Sequence, residues 1–130
     1  MFIKFDPDNY KDIIVLMKDI KDVHTSLFPN ATIQSQAAKY EEECIELATA
    51  ESCEDIREEF ADLFIVSCGL LRFSPQLGID LCKNIITTIK DDESREFLIK
   101  AVCDKMNVNQ TRDWNETNSG FYKHKDHIVH

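Results

Sequence analysis

Glycine and proline are scarce in this 130-residue chain, with three of each. These residues supply most tight turns between strands, and no Asn-Gly or Asp-Gly pair separates alternating apolar runs here. The composition therefore argues against a sheet-rich domain and predicts an all-α protein. We expect an antiparallel helical bundle with an irregular C-terminal tail, built as a single domain over residues 1–130.

The chain also lacks a long apolar run, a Walker-type glycine loop and any Cys-x-x-Cys spacing. The apolar run at 63–71 is about half of the ~20 residues that span a bilayer, and the first residues contain no apolar signal-peptide core. Without the glycine loop, an ATPase of the P-loop kind is excluded. An odd number of cysteines indicates reduced core residues of a cytoplasmic protein rather than a disulfide framework or a zinc site. The cysteines are Cys44, Cys53, Cys68, Cys82 and Cys103.

Negative charge is in excess, with a formal net charge of −9. This argues against partnership with a nucleic-acid polymer or an anionic membrane. The excess lies in residues 1–94, which carry 9 basic and 19 acidic side chains, whereas residues 95–130 carry 6 basic and 5 acidic ones. The last third of the chain therefore has cations that can face an anionic ligand.

Apolar spacing and breaker residues predict five helices. They run from Asp6-Pro7 to about Val23, from Thr32 to about Ala50, from Glu54 to Phe73, from Gln76 to Lys90, and from the polar junction 91–94 to between Asn109 and Arg112. Beyond Trp114 we expect a loop and an extended tail.

Two acidic motifs stand on the second and third predicted helices. Glu43 and Glu46 are three residues apart and share a helix face, and so do Glu59 and Asp62. If the two helices run antiparallel, the four carboxylates converge. Such a cluster is costly unless a cation binds it, and a hard divalent ion with oxygen ligands is the natural partner.

Acidic residues on helices are usually a solvated face, so the neighbours of these carboxylates matter. Asp62 is followed by the apolar run 63–71, which is apolar nearly all round and indicates a helix buried on several sides. Glu46 likewise has apolar neighbours. These surroundings favour a site over a wet surface. The apolar run also suggests more burial than a lone small bundle provides.

A basic segment follows near the end of the fifth helix. Lys105, Asn109 and Arg112 lie four and three residues apart, hence on one face, and they offer donors suited to phosphate oxygens. Trp114 either stacks on a base or covers the core. A metal combined with cations is the usual equipment for phosphoryl chemistry.

The pattern Lys39-x-x-Glu42-Glu43-x-x-Glu46, followed about a dozen residues later by Glu59-x-x-Asp62, resembles the MazG-type all-α nucleoside triphosphate pyrophosphohydrolases. The "EEFADLF" run at 58–64 adds to the resemblance. The later pattern resembles the branch of dATP/dGTP pyrophosphohydrolases, many of them phage-encoded. It reads Lys105-Met106-x-x-Asn109-x-x-Arg112-x-Trp114, with Gly120 and His124 after it. Together the resemblance covers about residues 24–127.

The resemblance implies hydrolysis of a nucleoside triphosphate, a purine one for this branch, between the α and β phosphates. The products are a monophosphate and pyrophosphate. It implies a homodimer or homotetramer and Mg²⁺ or Mn²⁺ as cofactor. The implied metal ligands are Glu43, Glu46, Glu59 and Asp62. The implied catalytic residues are Glu42, Glu43 and Glu46. The implied substrate contacts are Lys39, Lys105, Asn109, Arg112 and Trp114.

Two alternatives remain open, and the sequence argues against a third. The same chemistry could act on another nucleotide, such as dUTP, dCTP or a phosphoribosyl nucleotide, since metal motifs do not read the base. A non-catalytic helical interaction module would use the acids only as surface. A di-iron bundle needs Glu-x-x-His, which the chain lacks. We assign no metal site to His124, His127 and His130, and we expect His24 at a helix end or in the core.

Overall fold

The computed structural model describes residues 2–118 and 120–124. They form five α-helices and a small antiparallel sheet, which confirms the prediction of a mainly helical chain. The elements are α1 (Ile13–Leu27), α2 (Ile33–Ala48), α3 (Cys53–Leu70), α4 (Pro75–Thr88), α5 (Asp92–Asn109), β1 (Trp114–Asn118) and β2 (Phe121–His124). Within the described residues, no helix has the length and apolar character needed to cross a membrane.

Side-chain caps set where the helices begin. Thr32 and Ser35 form a capping box at the start of α2, and Ser52 caps α3. The predicted start of the first helix was wrong. Asp6 caps only the short 3₁₀ turn Pro7–Asn9, and α1 begins later, where the Asp12 side chain accepts a hydrogen bond from the backbone N–H of Ile14.

The predicted irregular tail was also partly wrong, because β1 and β2 form a hairpin. Trp114 pairs with His124 and Glu116 pairs with Tyr122. Gly120 has φ +82° and lies against the α1–α2 loop, where an added Cβ would be 2.7 Å from the carbonyl oxygen of Asn30. Only glycine meets both demands comfortably. Residues 125–130, with His127 and His130, and the side chain of His124 lie outside the described part of the chain.

Helix α3 is the centre of the fold and packs against α1, α2, α4 and α5. Its residues Leu63, Phe64 and Cys68 are at most 5% exposed. The apolar run at 63–71 is thus covered by helices of its own chain. A single chain therefore supplies the burial that we expected to exceed what a lone small bundle provides, and the predicted oligomer stays a prediction without support from this run.

Helix α2 differs from the others in what it buries. Its buried residues are Ser35, Gln36 and Glu43, all of them polar. A helix held mainly by apolar packing would bury an apolar stripe instead. The polar face of α2 therefore lies over α3 and forms one wall of a cleft.

An extended N-terminal segment, residues 3–5, is held against α5 by two side-chain amides. Gln110 accepts from the N–H of Ile3 at 2.8 Å and donates to its carbonyl at 2.7 Å. Asn107 accepts from the N–H of Phe5 at 2.8 Å and donates to its carbonyl at 2.9 Å. Phe5 itself is 2% exposed and belongs to the core. Each side-chain amide thus makes the two backbone hydrogen bonds that a neighbouring β-strand would otherwise make to that residue.

We expect Asn107→Ala to lower the free energy of unfolding by about 2 kcal/mol, because it leaves both backbone groups of buried Phe5 without partners. Urea unfolding measures the loss. The matched control is Asn84→Ala, at an exposed position of α4, for which we expect a change within about 0.5 kcal/mol. Equal losses in the two variants would contradict the anchoring role.

Candidate functional site

A cleft of about 700 Å³ lies between α2, α3, the end of α5 and the hairpin. All the predicted site residues except Glu59 line it: Lys39, Glu42, Glu43, Glu46, Asp62, Lys105, Asn109, Arg112 and Trp114. The volume is in the range of small-molecule sites. The cleft has an acidic end, where the carboxylates Glu43, Glu46 and Glu59 meet, and an aromatic end, formed by Phe28, Trp114 and Tyr122.

The antiparallel packing of α2 on α3 brings the acids together. Gln36, near the start of α2, donates a hydrogen bond to the carbonyl of Val66, near the end of α3, at 3.0 Å. Further along α2, Glu43 meets Glu59, which is nearer the start of α3. The i, i+3 spacing predicted from the sequence then points Glu43 and Glu46 at the same neighbour.

The three carboxylates of the acidic end can each offer an oxygen so that all three lie within 4.8 Å of one another. Glu43 is 9% exposed. One oxygen of Glu43 and one of Glu59 are buried without a hydrogen-bond partner. Buried polar atoms without partners are rare in folded proteins. A hard divalent cation would satisfy both oxygens, so the donor set fits Mg²⁺ or Mn²⁺.

The raised pKa values of the carboxyls at the acidic end also favour a bound cation. Burial raises the pKa of Glu43 to about 9, helped by the negative charges of Asp62, Glu46 and Glu59 and by a carboxyl–carboxylate hydrogen bond to Glu46. Burial and the charges of Asp62 and Glu46 also raise the pKa of Glu59. Without a cation, Glu43 therefore keeps its proton at neutral pH.

Asp62, predicted as the fourth ligand, lies beside this group and carries an ion pair. Its Oδ1 is 3.2 Å from the ammonium of Lys105, which is also 2.9 Å from Glu58 Oε2. Burial raises the pKa of Asp62, and the attraction of Lys105 only partly offsets that effect. Lys105, predicted as a phosphate contact, is thus engaged by two acids of α3.

Glu42 and Lys39 lie at the rim. They are 4.0 Å apart, one helical turn from each other, with much of both side chains exposed. Such a pair contributes little to stability. Glu42 lies about 100° around the helix from Glu43 and does not belong to the group of three carboxylates.

At the end of α5, the remaining predicted contacts hold one another in place. Arg112 donates to Asn109 Oδ1 at 3.2 Å, and the indole N–H of Trp114 donates to the carbonyl of Asn109 at 2.9 Å. The Trp114 ring meets Phe28 edge-on, with the ring centroids 4.8 Å apart. Trp114 thus closes the end of α5 and forms part of the aromatic end.

Sequence reasoning missed Phe28, which is the centre of the aromatic end. Its ring also lies 5.0 Å from the rings of His24 and Tyr122. The hairpin is fastened nearby, because the Tyr122 hydroxyl accepts from the N–H of Asn30 and the Glu116 carboxylate accepts from the Asn30 side chain. Phe28 lies between the first and second predicted helices, in a segment that we expected to be a loop. No periodic pattern of apolar residues marks it.

A buried polar network supports the wall behind the aromatic end. His24 lies near the end of α1 and is 7% exposed, as predicted for a helix-end or core residue. Arg72 donates to His24 Nδ1 at 2.9 Å, which leaves the Nε2 hydrogen to be donated to Gln36 Oε1, also at 2.9 Å. Burial and the adjacent Arg72 charge lower the pKa of His24 to about 4, against the opposing effect of Gln36. His24 is therefore neutral at physiological pH.

Comparisons with protein-family models, with curated proteins and with solved structures find no match for this chain. The function proposed below rests on the geometry of the cleft and on the motif resemblance.

Proposed function

We propose that the protein is a Mg²⁺-dependent nucleoside triphosphate pyrophosphohydrolase. It would cleave a nucleoside triphosphate, a purine deoxynucleotide such as dGTP or dATP, between the α and β phosphates. The products would be a monophosphate and pyrophosphate. One observation carries the proposal: the acidic end has two buried carboxylate oxygens without partners, and it opens into the same cleft as Lys105, Arg112 and the aromatic end.

Glu43, Glu46 and Glu59 would hold the divalent cation, with Asp62 beside them. When bound, such an ion neutralises phosphate charge and makes water a better nucleophile at neutral pH. Glu46 is the exposed member of the group, so it is the carboxylate best placed to accept a proton from an attacking water. Glu43 would have to release its proton before the cation binds.

The cations along the cleft would orient the triphosphate. Lys39, Lys105 and Arg112 line the same cleft as the two ends. Arg112 presents a planar set of donors and the lysines present point charges, both suited to phosphate oxygens. Held at three points, the chain of phosphates would present one anhydride bond to the acidic end.

The aromatic end would receive the nucleobase. Phe28, Trp114 and Tyr122 offer ring surface beside the buried His24–Gln36 network. Stacking on aromatic side chains binds any base, so this surface by itself does not separate purines from pyrimidines. The choice of a purine rests on the resemblance to the dATP/dGTP branch, and dUTP or dCTP is the alternative.

The same resemblance extends the proposal to a cytoplasmic homodimer or homotetramer. The five cysteines are free, as a reducing compartment requires. Ile45 on α2 is 59% exposed, which offers apolar surface to a second copy.

We expect the protein with Mg²⁺ to convert at least one purine deoxynucleoside triphosphate to its monophosphate and pyrophosphate. The test incubates it with a panel of purine and pyrimidine nucleoside triphosphates and identifies the products by chromatography. Asp62→Asn and Glu46→Gln should each lower the rate about 100-fold, since each removes a charge at the acidic end.

Glu41→Gln is the matched control, because Glu41 is exposed on the same helix and does not line the cleft. Its rate should stay within about twofold of the unaltered protein. Release of a diphosphate with orthophosphate, or no turnover of any nucleotide, would overturn the proposal. No turnover would favour a non-catalytic interaction module.

A further inference from the structure

Lys105 joins the acidic side of the cleft to Glu58, which is not one of the predicted site residues. Its ammonium, on α5, lies 2.9 Å from Glu58 Oε2 and 3.2 Å from Asp62 Oδ1, both on α3. The other ion pairs among the described residues lie within single helices. Glu58 is absent from the group of three carboxylates and from the lining of the cleft. The Glu58–Lys105–Asp62 bridge is therefore a distinct contact between two helices.

The charges around Asp62 explain why a lysine is placed there. The negative charge of Asp62 acts on Glu43, whose buried Oε2 has no hydrogen-bond partner. Lys105 is half-buried, with its side chain 26% exposed, so its charge is only partly screened by water. Its charge thus offsets that of Asp62, an acid that acts on both Glu43 and Glu59.

A divalent cation at the acidic end would compete with Lys105 for the carboxylate of Asp62. Two positive charges cannot share Asp62 without repulsion, because like charges at contact distance oppose each other strongly at partial burial. Glu58, which is outside the group of three carboxylates, gives the ammonium a second acceptor. Lys105 can therefore leave Asp62 without losing every acceptor.

We propose that Lys105 is an internal counter-ion: it occupies Asp62 while no divalent cation is bound and turns to a phosphate oxygen when cation and nucleotide enter. Glu58 is the positioning residue that keeps the ammonium at the cleft during this exchange. The counter-ion half depends only on the acidic end binding a cation. The phosphate half rests on the proposed function.

The proposal predicts effects of opposite sign from one substitution. Lys105→Met keeps the length and apolar stem of the side chain and removes its charge. Asp62 is then freed, so the affinity of the nucleotide-free protein for Mn²⁺ should rise about threefold to tenfold. The affinity for inorganic triphosphate, at saturating Mg²⁺, should fall about tenfold because a charged donor is lost. If Lys105 had only a structural role, its replacement would lower both the Mn²⁺ affinity and the triphosphate affinity.

Calorimetric titration of the metal-free protein with Mn²⁺ measures the first effect, and titration with inorganic triphosphate measures the second. Circular dichroism confirms that each variant is folded. Should Lys105→Met fail to fold, Lys105→Gln replaces it in both titrations. Weaker Mn²⁺ binding by the folded variant would overturn the proposal.

Glu58 is tested through its dependence on Lys105. Glu58→Gln leaves the ammonium with Asp62 as its acceptor, so Mn²⁺ affinity should fall about threefold, and this loss should vanish when Lys105→Met is also present. Glu54→Gln, one turn earlier and exposed on the same helix, controls for the loss of one distant negative charge. An equal loss from Glu58→Gln with and without Lys105 would overturn the positioning role.

The Mn²⁺ titration also separates this proposal from the proposed function. Tighter Mn²⁺ binding by Lys105→Met in a protein that hydrolyses no nucleotide would support the counter-ion and refute the pyrophosphohydrolase. Nucleotide hydrolysis by the protein, with no gain in Mn²⁺ affinity in Lys105→Met, would support the pyrophosphohydrolase and refute the counter-ion.

Discussion

Glu43→Gln should make the metal-free protein more stable and at the same time abolish its response to Mg²⁺. The folded-state pKa of Glu43 is raised to about 9 by burial and neighbouring acids. A raised pKa means that the stability contributed by the protonated group is present at low pH and is lost as pH rises through that value. At about pH 7.5 the unfolded carboxyl is already ionised, so folding must take up a proton. A neutral amide removes that cost.

We expect this substitution to raise the unfolding free energy of the metal-free protein by about 2 kcal/mol at about pH 7.5. This corresponds to a midpoint about 7 °C higher. The rise in midpoint that Mg²⁺ gives the unaltered protein should disappear, since a ligand is lost. Nucleotide hydrolysis should fall by about 1,000-fold.

Thermal unfolding with and without Mg²⁺ measures both stability effects, and Glu41→Gln is the control on the same helix. Loss of stability in metal-free Glu43→Gln would contradict the interpretation that burying the Glu43 carboxyl is costly without a bound cation. A preserved Mg²⁺ response would remove Glu43 from the set of ligands. The combination of higher stability with lost function is typical of residues kept for binding rather than for packing.

Acid should destabilise the fold through His24. Burial and Arg72 lower its folded-state pKa to about 4, whereas the unfolded side chain titrates at its usual value of 6.5. A lowered pKa means that the stability is present above the unfolded value and is lost as pH falls toward the folded one. Between about pH 6.5 and pH 4.5 the loss should reach about 2–3 kcal/mol.

Glu43 opposes His24 in this window, because its raised pKa makes the fold more stable as pH falls. The His24 effect is therefore measured in the Glu43→Gln background by urea unfolding at several pH values. Adding His24→Gln should lower stability at neutral pH, since the contact with Arg72 changes, but it should also flatten the pH dependence. An equally steep acid loss with His24→Gln would show that another group is responsible.

The sequence predicted the acidic end well because its pattern is local. Glu43 and Glu46 share a face by helix geometry alone, and the predicted start of the third helix at Glu54 lies one residue from the start of α3 at Cys53. The burial pattern of α1 was less predictable. The spacing of Tyr10, Ile13, Ile14, Met17 and Ile20 predicts one apolar helix face, yet Ile14 is 56% exposed, while Leu16, outside that pattern, is fully buried. The later start of α1 takes buried Tyr10 out of the helix, so it does not belong to the helical pattern.

Contacts between distant parts of the chain could not be predicted in this way. Arg72 reaches His24 across 48 positions, and no spacing rule joins them. The engagement of Lys105 by Glu58 depends on how α5 leans on α3. The hairpin escaped prediction because its turn holds a single glycine and lacks a two-residue turn signature. These features come from packing, which a single sequence does not display.

The amides that hold residues 3–5 also tie this segment to events late in synthesis. Ile3 and Phe5 find their partners 107 and 102 positions further along the chain. Until α5 has been synthesised, two backbone groups of Phe5 lack the hydrogen-bond partner that Asn107 provides. Both contacts close the same long loop of the chain. The loss of chain entropy on closing that loop is therefore incurred only once for the two contacts. Docking of residues 3–5 therefore requires α5, and it fastens the helix that carries Lys105.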